Sequence, residues 1–414
     1  MTGPVNELVS HLEGAIDGYR LAPGQLYSLH QGRPIWVRYD LAAMAARVDR
    51  DAFASREASL WRYRECLPLG ADIQPVTLGE GMTPLLDCKR LGERLGLADF
   101  WIKDESQMPT GSFKDRGQSV AISMARSLGV NRVAIPTAGN AGGSMAAYAA
   151  RAGLEAFVFM PEDTPPINRF EVTHAGAHGW LVNGLITDCG KIVRDGIVPM
   201  NWFDMSTLKE PYRLEGKKTM GLELAEQFGW VLPDVILYPT GGGTGLIGMW
   251  KAFRELIELG WLEATDLPRM VAVQSEGCCP IVRAHEQGER FAAAFEDAAT
   301  IASGIRVPAA VGDFMILDAI AESGGCVVAV DETAIRDWMQ EAAMTEGIAL
   351  GPESACCIGA ARKLRESGWL EADARTVIFN CGGARKYPHL MACELPALDR
   401  HARIDWANLA PTPQ

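Results

Sequence analysis

One lysine, Lys114, lies where the sequence passes from a glycine-containing turn into a predicted helix. It belongs to the stretch PTGSFKDRG at residues 109–117. A lysine at such a junction, next to a site for an anionic cofactor, can present its amine for Schiff-base chemistry. Lysines more often lie on charged, solvated surfaces. The motif is therefore a hypothesis that other parts of the sequence must support.

A glycine-rich loop between a predicted strand and a predicted helix is the second candidate site. Its glycines allow backbone N–H groups to turn toward a phosphate, and the helix N terminus adds positive potential. The spacing of Gly243, Gly245 and Gly248 also fits a dinucleotide fingerprint, with Glu276 near the end of a later strand. The loop therefore predicts a phosphate site without selecting one cofactor. It consists of Gly241, Gly242, Gly243, Thr244 and Gly245.

The lysine favours one of these cofactors over the other. A nicotinamide site needs no amine, whereas pyridoxal phosphate needs one lysine, a phosphate loop and partners for its ring. Lys114 and the loop together favour pyridoxal phosphate. A nicotinamide oxidoreductase and a binding protein that holds a cofactor without turnover stay as alternatives. Both alternatives predict that Lys114→Ala leaves function and absorption spectrum unchanged.

Two further residues are placed to contact the cofactor ring. Asn140, in a loop at the end of a predicted strand, can donate to the ring oxygen, although asparagine beside glycine is also common in plain turns. Cys381 follows the last predicted buried strand and can meet the pyridine nitrogen. A thiol is a weak hydrogen-bond partner, so the ring would be a moderate electron sink suited to elimination and replacement. A buried structural cysteine is the competing interpretation.

The loop that carries Asn140 also offers a place for the substrate. Backbone N–H groups there can bind a substrate carboxylate. The candidate residues are Thr137, Ala138 and Gly139.

A repeated strand–loop–helix order is expected to position these residues. Predicted strands cover 132–136, 156–160, 235–239, 271–274 and 376–380, and predicted helices cover 114–128, 143–152 and 246–260. This order is typical of parallel α/β sheets, which place their sites at the carboxyl ends of the strands. We expect an N-terminal extension over residues 1–75, a domain with the lysine over 76–205 and a domain with the phosphate loop over 206–414.

Composition narrows the partners and the compartment. The chain has 414 residues and a net charge of −13, which argues against nucleic-acid binding. Its ten cysteines form no C-x-x-C pair, so neither a metal site nor a disulfide framework is expected. The sequence lacks a signal-peptide pattern and a membrane-length apolar run, so a cytoplasmic protein is expected.

Taken together, these segments resemble the threonine synthase family, within the tryptophan-synthase-β-like, fold type II pyridoxal phosphate enzymes. The resemblance covers nearly the whole chain. It rests on LGEGMTPL at 78–85, the lysine motif at 109–117, AGNA at 138–141, PYRLEGKKT at 211–219, the glycine loop and GCCPIV at 277–282. It implies two three-layer αβα domains with mostly parallel sheets and the cofactor in the cleft between them.

The resemblance also implies roles for individual residues. Lys114 is similar to the lysine that bonds the cofactor and moves protons, and Asn140 to the asparagine at the ring oxygen. The implied reaction, that of a carbon–oxygen lyase, converts O-phospho-L-homoserine and water to L-threonine and phosphate, usually in a homodimer. The substrate is thus a small anionic amino acid, and its phosphate needs cations of its own. The candidates are Arg116, Arg213, Lys217 and Lys218.

The chain departs from the family pattern in three places. Cys381 stands where relatives usually carry threonine and is more like the serine and threonine dehydratases. Arg385, in the GGARKYP segment at 382–388, is an added charge. Residues 27–34 contain no cysteine, so the zinc ribbon of many archaeal-type relatives is not expected. A dehydratase or β-replacement enzyme acting on serine, threonine or a phosphorylated relative is therefore the alternative function.

Overall fold

The computed structural model describes residues 3–262 and 266–391, together with residues 395, 397–401, 403, 404 and 406. Strands and α-helices alternate along most of this part of the chain. The strands are β1 (Val9–Gly14), β2 (Arg20–Leu21), β3 (Ile35–Tyr39), β4 (Leu85–Asp87), β5 (Phe100–Lys103), β6 (Arg132–Pro136), β7 (Glu155–Pro161), β8 (His178–Val182), β9 (Phe203–Asp204), β10 (Val235–Pro239), β11 (Arg269–Ser275), β12 (Cys326–Val330) and β13 (Thr376–Phe379). The helices are α1 (Leu41–Arg47), α2 (Lys89–Leu95), α3 (Lys114–Ser127), α4 (Asn140–Ala152), α5 (Pro166–His174), α6 (Ile186–Asp195), α7 (Ile197–Met200), α8 (Tyr212–Gln227), α9 (Thr244–Glu258), α10 (Pro280–Glu286), α11 (Asp313–Glu322), α12 (Ile335–Glu346) and α13 (Pro352–Glu366).

The larger lobe is built on a six-stranded sheet of order β12-β11-β10-β13-β5-β4. All neighbouring strands are parallel except β4, which runs antiparallel to β5. Alternate residues of β10 face opposite sides, because side chains in a strand alternate in direction. Leu237 packs in the core formed with α2, α12 and α13, and Ile236 packs in the core formed with α8, α9 and α11. Helices thus cover both faces of the sheet.

The smaller lobe has a parallel four-stranded sheet of order β8-β7-β6-β9. Val133 and Ile135 of β6 pack toward α4 and α5, whereas Ala134 packs toward α6. This lobe is therefore also three-layered, and the predicted pair of αβα units is confirmed. A separate antiparallel sheet of order β2-β1-β3 forms from the N-terminal extension.

The sheets do not follow the predicted division at residue 76. Strands β4 and β5 lie inside the predicted domain 76–205, yet β5 pairs with β13 and belongs to the larger lobe. The boundary therefore needs correction: residues 85–103 contribute to the sheet otherwise formed by residues 206–414. A strand from any part of the chain can pair with the edge of a parallel sheet, and the sequence does not show which sheet β5 joins.

Candidate active site

Lys114 is the first residue of α3, and a short loop fixes its position. Gly111, with φ of +72°, makes the turn before it. The backbone N–H of Phe113 donates to the carbonyl of Cys381 at 2.9 Å. The Asp115 carboxylate accepts from the backbone N–H of Thr110 at 2.7 Å. The start of α3 is thereby tied to the end of β13, so Lys114 and Cys381 occupy the same region.

The environment of Lys114 makes its amine more reactive than that of an ordinary lysine. Removal from water, together with the nearby Arg213 guanidinium, lowers the pKa of Lys114 to about 8. Cys381 and Glu353 oppose this shift. A lower pKa enlarges the neutral fraction at neutral pH, and the neutral amine is the nucleophile. The residue is therefore suited to attack a carbonyl group.

The glycine loop leaves bare backbone at the N terminus of the 15-residue helix α9. Gly243 has φ of +71°, a conformation that favours glycine. A Cβ at Gly241 would lie 2.8 Å from Val307, and one at Gly245 would overlap the hydroxyl of Tyr238. Larger side chains are thus excluded at these positions on steric grounds. The backbone N–H groups and the dipole of α9 are what the loop offers to a ligand. This arrangement fits a phosphate group.

A cavity of about 470 Å³ lies between the two lobes and brings the predicted groups together. Its wall combines the start of α3, the loop between β6 and α4, the glycine loop and the end of β13. The roles assigned to the individual residues stay predictions. The predicted residues that line the cavity are Lys114, Thr137, Ala138, Gly139, Asn140, Gly241, Gly242, Gly243, Thr244, Gly245 and Cys381.

The thiol in this cavity is neutral. Burial raises the pKa of Cys381 to about 12, although the hydroxyl of Tyr238 opposes the shift. The backbone N–H of Cys381 donates to Ser354 Oγ at 2.9 Å, which fixes the residue on the larger lobe. A neutral thiol can share a hydrogen bond with a pyridine nitrogen but supplies no charge to hold it protonated. The donor set therefore fits a moderate electron sink.

Two of the predicted substrate-phosphate ligands lie elsewhere. Arg116 is fully buried and its guanidinium binds Glu105 at 2.6 Å and Glu223 at 2.8 Å. Lys218 is also fully buried and binds Glu215 at 3.0 Å and Glu255 at 2.8 Å. Their charges are neutralised away from the cavity, because an unpaired buried charge would be costly. The structure corrects the prediction for both residues.

The other two predicted cations lie behind the cavity wall and do not line it. Arg213 donates to the carbonyl of Met205 at 2.8 Å, and Lys217 donates to the carbonyl of Phe113. Burial lowers the pKa of Lys217 well below the usual value, and Lys114 and Arg213 lower it further. Arg213 thus acts on the pKa of Lys114, and neither Arg213 nor Lys217 lines the cavity.

The sequence reasoning missed the cations and the carboxyl group that do line the cavity. Besides Lys114, three basic residues lie on its wall: Arg194, Lys209 and Arg306. They come from α6 and from two loops, and no local motif distinguishes them from solvated charges. Glu353, near the start of α13, also lines the cavity and accepts from Tyr387 Oη and from Gly304 N–H, each at 2.6 Å. The segment GPESA at 351–355 could have indicated Glu353, because a glutamate in the first turn of an apolar helix is a recognisable feature.

No helix among the described residues is long and apolar enough to cross a membrane.

Comparison with known proteins identifies the family. Residues 76–382 match the family described as pyridoxal-phosphate dependent enzymes. The chain is 35% identical to the threonine synthase of Methanosarcina acetivorans over 87% of this chain and 88% of the relative. It is 33% identical to that of Methanocaldococcus jannaschii over 88% and 89% of the two chains.

A solved structure supports the fold. The maize serine racemase superposes with a TM-score of 0.64 and 23% identity, over 75% of this chain and 92% of that one. The predicted fold type II architecture and the predicted pyridoxal phosphate cofactor are confirmed. Lys114, the glycine loop and Cys381 line one cavity, an arrangement that fits such a cofactor. The chain belongs to the pyridoxal-phosphate dependent enzymes and, among them, to the threonine synthase family.

Proposed function

We propose that this protein is a threonine synthase, a carbon–oxygen lyase that converts O-phospho-L-homoserine and water to L-threonine and phosphate. The names of its relatives support this reaction. The observation that carries the proposal is a set of basic residues, besides Lys114, on the cavity wall. A substrate with a phosphate of its own needs such a set, whereas serine or threonine does not.

The second anion site is supported by charge and by hydroxyl groups. Arg194 of α6, Lys209 and Arg306 come from three separate segments of the chain, and Thr187 and Ser206 also line the cavity. Lys209 and Arg306 are half-buried and each has a carboxylate neighbour, Asp204 at 3.4 Å and Asp163 at 2.9 Å. Charge-assisted bonds from such groups suit a phosphate. We assign Arg194, Lys209 and Arg306 to the binding of the substrate phosphate.

The remaining residues have complementary tasks. Bound pyridoxal phosphate supplies an electron sink that stabilises negative charge at the substrate carbons next to it. Lys114 would bind this group and afterwards carry protons to and from Cα, Cβ and Cγ of the substrate. Asn140 would contact the ring oxygen, the glycine loop would hold the cofactor phosphate, and Cys381 would face the ring nitrogen. The backbone of residues 137–139 holds the substrate carboxylate, and the lobes around the cavity limit its access to water.

The alternative is a serine or threonine dehydratase on the same scaffold, and Cys381 is the observation that favours it. Purified holoenzyme would be assayed against phosphohomoserine, phosphoserine, serine and threonine, for phosphate, threonine, ammonia and 2-keto acids. We expect threonine and phosphate in equal amounts from phosphohomoserine. Ammonia and a keto acid from serine or threonine, without phosphate release from phosphohomoserine, would establish the dehydratase instead.

Variants of the cation set test the substrate-phosphate assignment. Arg194→Met is expected to raise KM for phosphohomoserine roughly tenfold or more, since a charge-assisted bond contributes about 1.5–3 kcal/mol. Arg290→Met is the matched control, because Arg290 pairs with Asp318 at 2.7 Å and does not line the cavity. Equal KM values in the two variants would reject the assignment.

We further infer a cytoplasmic homodimer, by likeness to the family. Light scattering coupled to gel filtration tests the dimer, and a mass of about one chain would reject it.

A further inference from the structure

The side chain of Asn140 is held by a second asparagine. Asn168 lies on α5, is only 3% exposed, and donates from Nδ2 to Oδ1 of Asn140 at 3.0 Å. A carboxamide has one accepting and one donating end. The bond from Asn168 occupies the accepting end, and Nδ2 of Asn140 is the end left for a ligand.

The donating end of Asn140 approaches the segment that follows β13. A Cβ built on Gly382 would lie 3.2 Å from Asn140 Nδ2, so the amide nitrogen approaches the backbone directly after Cys381. Gly382 also forms a β-bridge with Ser112 in the loop that carries Lys114. The amide nitrogen therefore lies where the loops of Lys114 and Cys381 meet.

Helix α5 and the loop before it are each attached to the larger lobe by an ion pair. Glu171 of α5 forms an ion pair with the buried Lys386, just beyond the end of β13. Asp163, in the loop before α5, binds Arg306 of the larger lobe at 2.9 Å. The backbone N–H of Asn168 donates to the carbonyl of Pro165 at 3.0 Å, which fixes the first turn of the helix. The position of Asn168 is thus set by contacts between the lobes.

We propose that Asn168 is a positioning residue that makes Asn140 a hydrogen-bond donor toward the ring oxygen of the cofactor. The ring oxygen of pyridoxal phosphate is an acceptor when ionised, so only the nitrogen end of the amide stabilises it. A reversed amide would place two oxygen atoms against each other. The inference rests on the proposed role of Asn140, and Asn168 acts only through that residue.

Two substitutions at position 168 separate orientation from packing. Asn168→Ala removes the bond and lets the Asn140 amide adopt either orientation. Asn168→Asp offers only acceptors when ionised, so Nδ2 of Asn140 turns to it and Oδ1 turns to the ring. We expect cofactor affinity to fall about tenfold in the alanine variant and further in the aspartate variant. Asn201→Asp, at an exposed position of the smaller lobe, controls for the added charge.

The readouts do not depend on turnover. Apoprotein is titrated with pyridoxal 5′-phosphate to obtain Kd, and the ratio of visible to near-ultraviolet absorbance of the bound cofactor is recorded. Loss of the donor to the ring oxygen is expected to lower the visible band. Thermal unfolding of each apoprotein shows whether the variants fold.

A double variant tests whether Asn168 affects cofactor binding through Asn140, even where Asn168→Asp fails to fold. In an Asn140→Ala background, Asn168→Ala is expected to leave Kd and the absorbance ratio unchanged, because the residue through which it acts is gone. A further loss of the same size as in the wild-type background would overturn the inference, as would equal effects of alanine and aspartate at position 168. If Asn140→Ala alone changes neither Kd nor the spectrum, the role of Asn140 itself fails.

Discussion

At the scale of single residues, the lowered pKa of Lys114 has a kinetic consequence. With a pKa of about 8, roughly a tenth of the amine is neutral at pH 7, whereas an ordinary lysine is neutral in fewer than about one molecule in a thousand. Only the neutral form attacks the cofactor aldehyde. We expect the rate of cofactor capture by the apoprotein to rise about tenfold per pH unit up to pH 8 and then to level off, as followed by stopped-flow absorbance.

Two outcomes would contradict this expectation. A rate that still rises steeply between pH 9 and pH 10 would mean that the amine keeps the pKa of an exposed lysine. A visible absorption band that persists in Lys114→Ala would show that another amine binds the cofactor. The variant also serves as the control for non-specific reaction with surface lysines.

The residues predicted to bind the cofactor and those predicted to bind the substrate phosphate differ in how readily the sequence reveals their roles. Lys114, Asn140 and the glycine loop lie at junctions between a strand or turn and a helix, and such junctions are readable from local pattern. The charge of Arg116 is equally visible, but its partners Glu105 and Glu223 are 11 and 107 residues away. Because a buried ion pair and a ligand site use the same residue type, only the three-dimensional contacts separate them.

At the scale of elements, the turn from β10 into α9 depends on close packing against glycine. A Cβ at Gly245 would overlap the buried hydroxyl of Tyr238, whereas one at Gly242 would lie 3.2 Å from Thr207 Cγ2. We expect Gly245→Ala to lower the free energy of unfolding of the apoprotein by about 1–3 kcal/mol, since overpacking of a core costs this much. Thermal and urea unfolding of the apoprotein measure it.

Gly242→Ala is the matched control in the same loop. It is expected to change the stability of the apoprotein by less than about 0.5 kcal/mol. Because Gly242 lines the cavity, its extra methyl group is expected to weaken cofactor binding instead. Equal stability of the two variants would show that the loop adapts and that the overlap at Gly245 is relieved without cost.

Prediction of the elements from the sequence succeeds where a strand is buried on both faces. The bounds predicted for 132–136 and 235–239 agree with β6 and β10 residue for residue. The helix predicted from residue 143 instead begins at Asn140, as the first residue of α4. Two glycines in that first turn obscure the helical pattern, since glycine usually weakens a helix. The strands β1, β2, β3, β4, β5, β8, β9 and β12 were not predicted.

At the scale of the whole molecule, the N-terminal extension is joined to the helices behind the active site by a buried polar cluster. Tyr39 at the end of β3 donates to Glu215 of α8 at 2.8 Å. Glu215 also binds Lys218 at 3.0 Å and Lys251 of α9 at 2.9 Å. The N terminus of α9 carries the glycine loop, so the extension, both helices and the cofactor loop form one connected unit. The sequence showed the extension only as a weakly patterned stretch, because its partners lie more than 150 residues away.

Removal of the charge on Glu215 tests this connection. Glu215→Gln keeps the size of the side chain but leaves two buried lysines with Glu255 as their remaining carboxylate. Loss of one partner from a buried ion-pair cluster costs about 3–5 kcal/mol, and we expect urea unfolding of the apoprotein to show a loss of this size.

A surface ion pair provides the control for that experiment. Arg47 binds Glu7 at 3.0 Å, and both side chains are largely exposed. Arg47→Ala is expected to cost less than about 1 kcal/mol, because water screens exposed pairs. Glu215→Gln is also expected to weaken cofactor binding, since Lys251 and Glu255 hold α9 in place, whereas Arg47→Ala leaves the Kd for the cofactor unchanged. A Glu215 variant with the stability and cofactor affinity of the Arg47 variant would show that the extension is not coupled to the active site through this cluster.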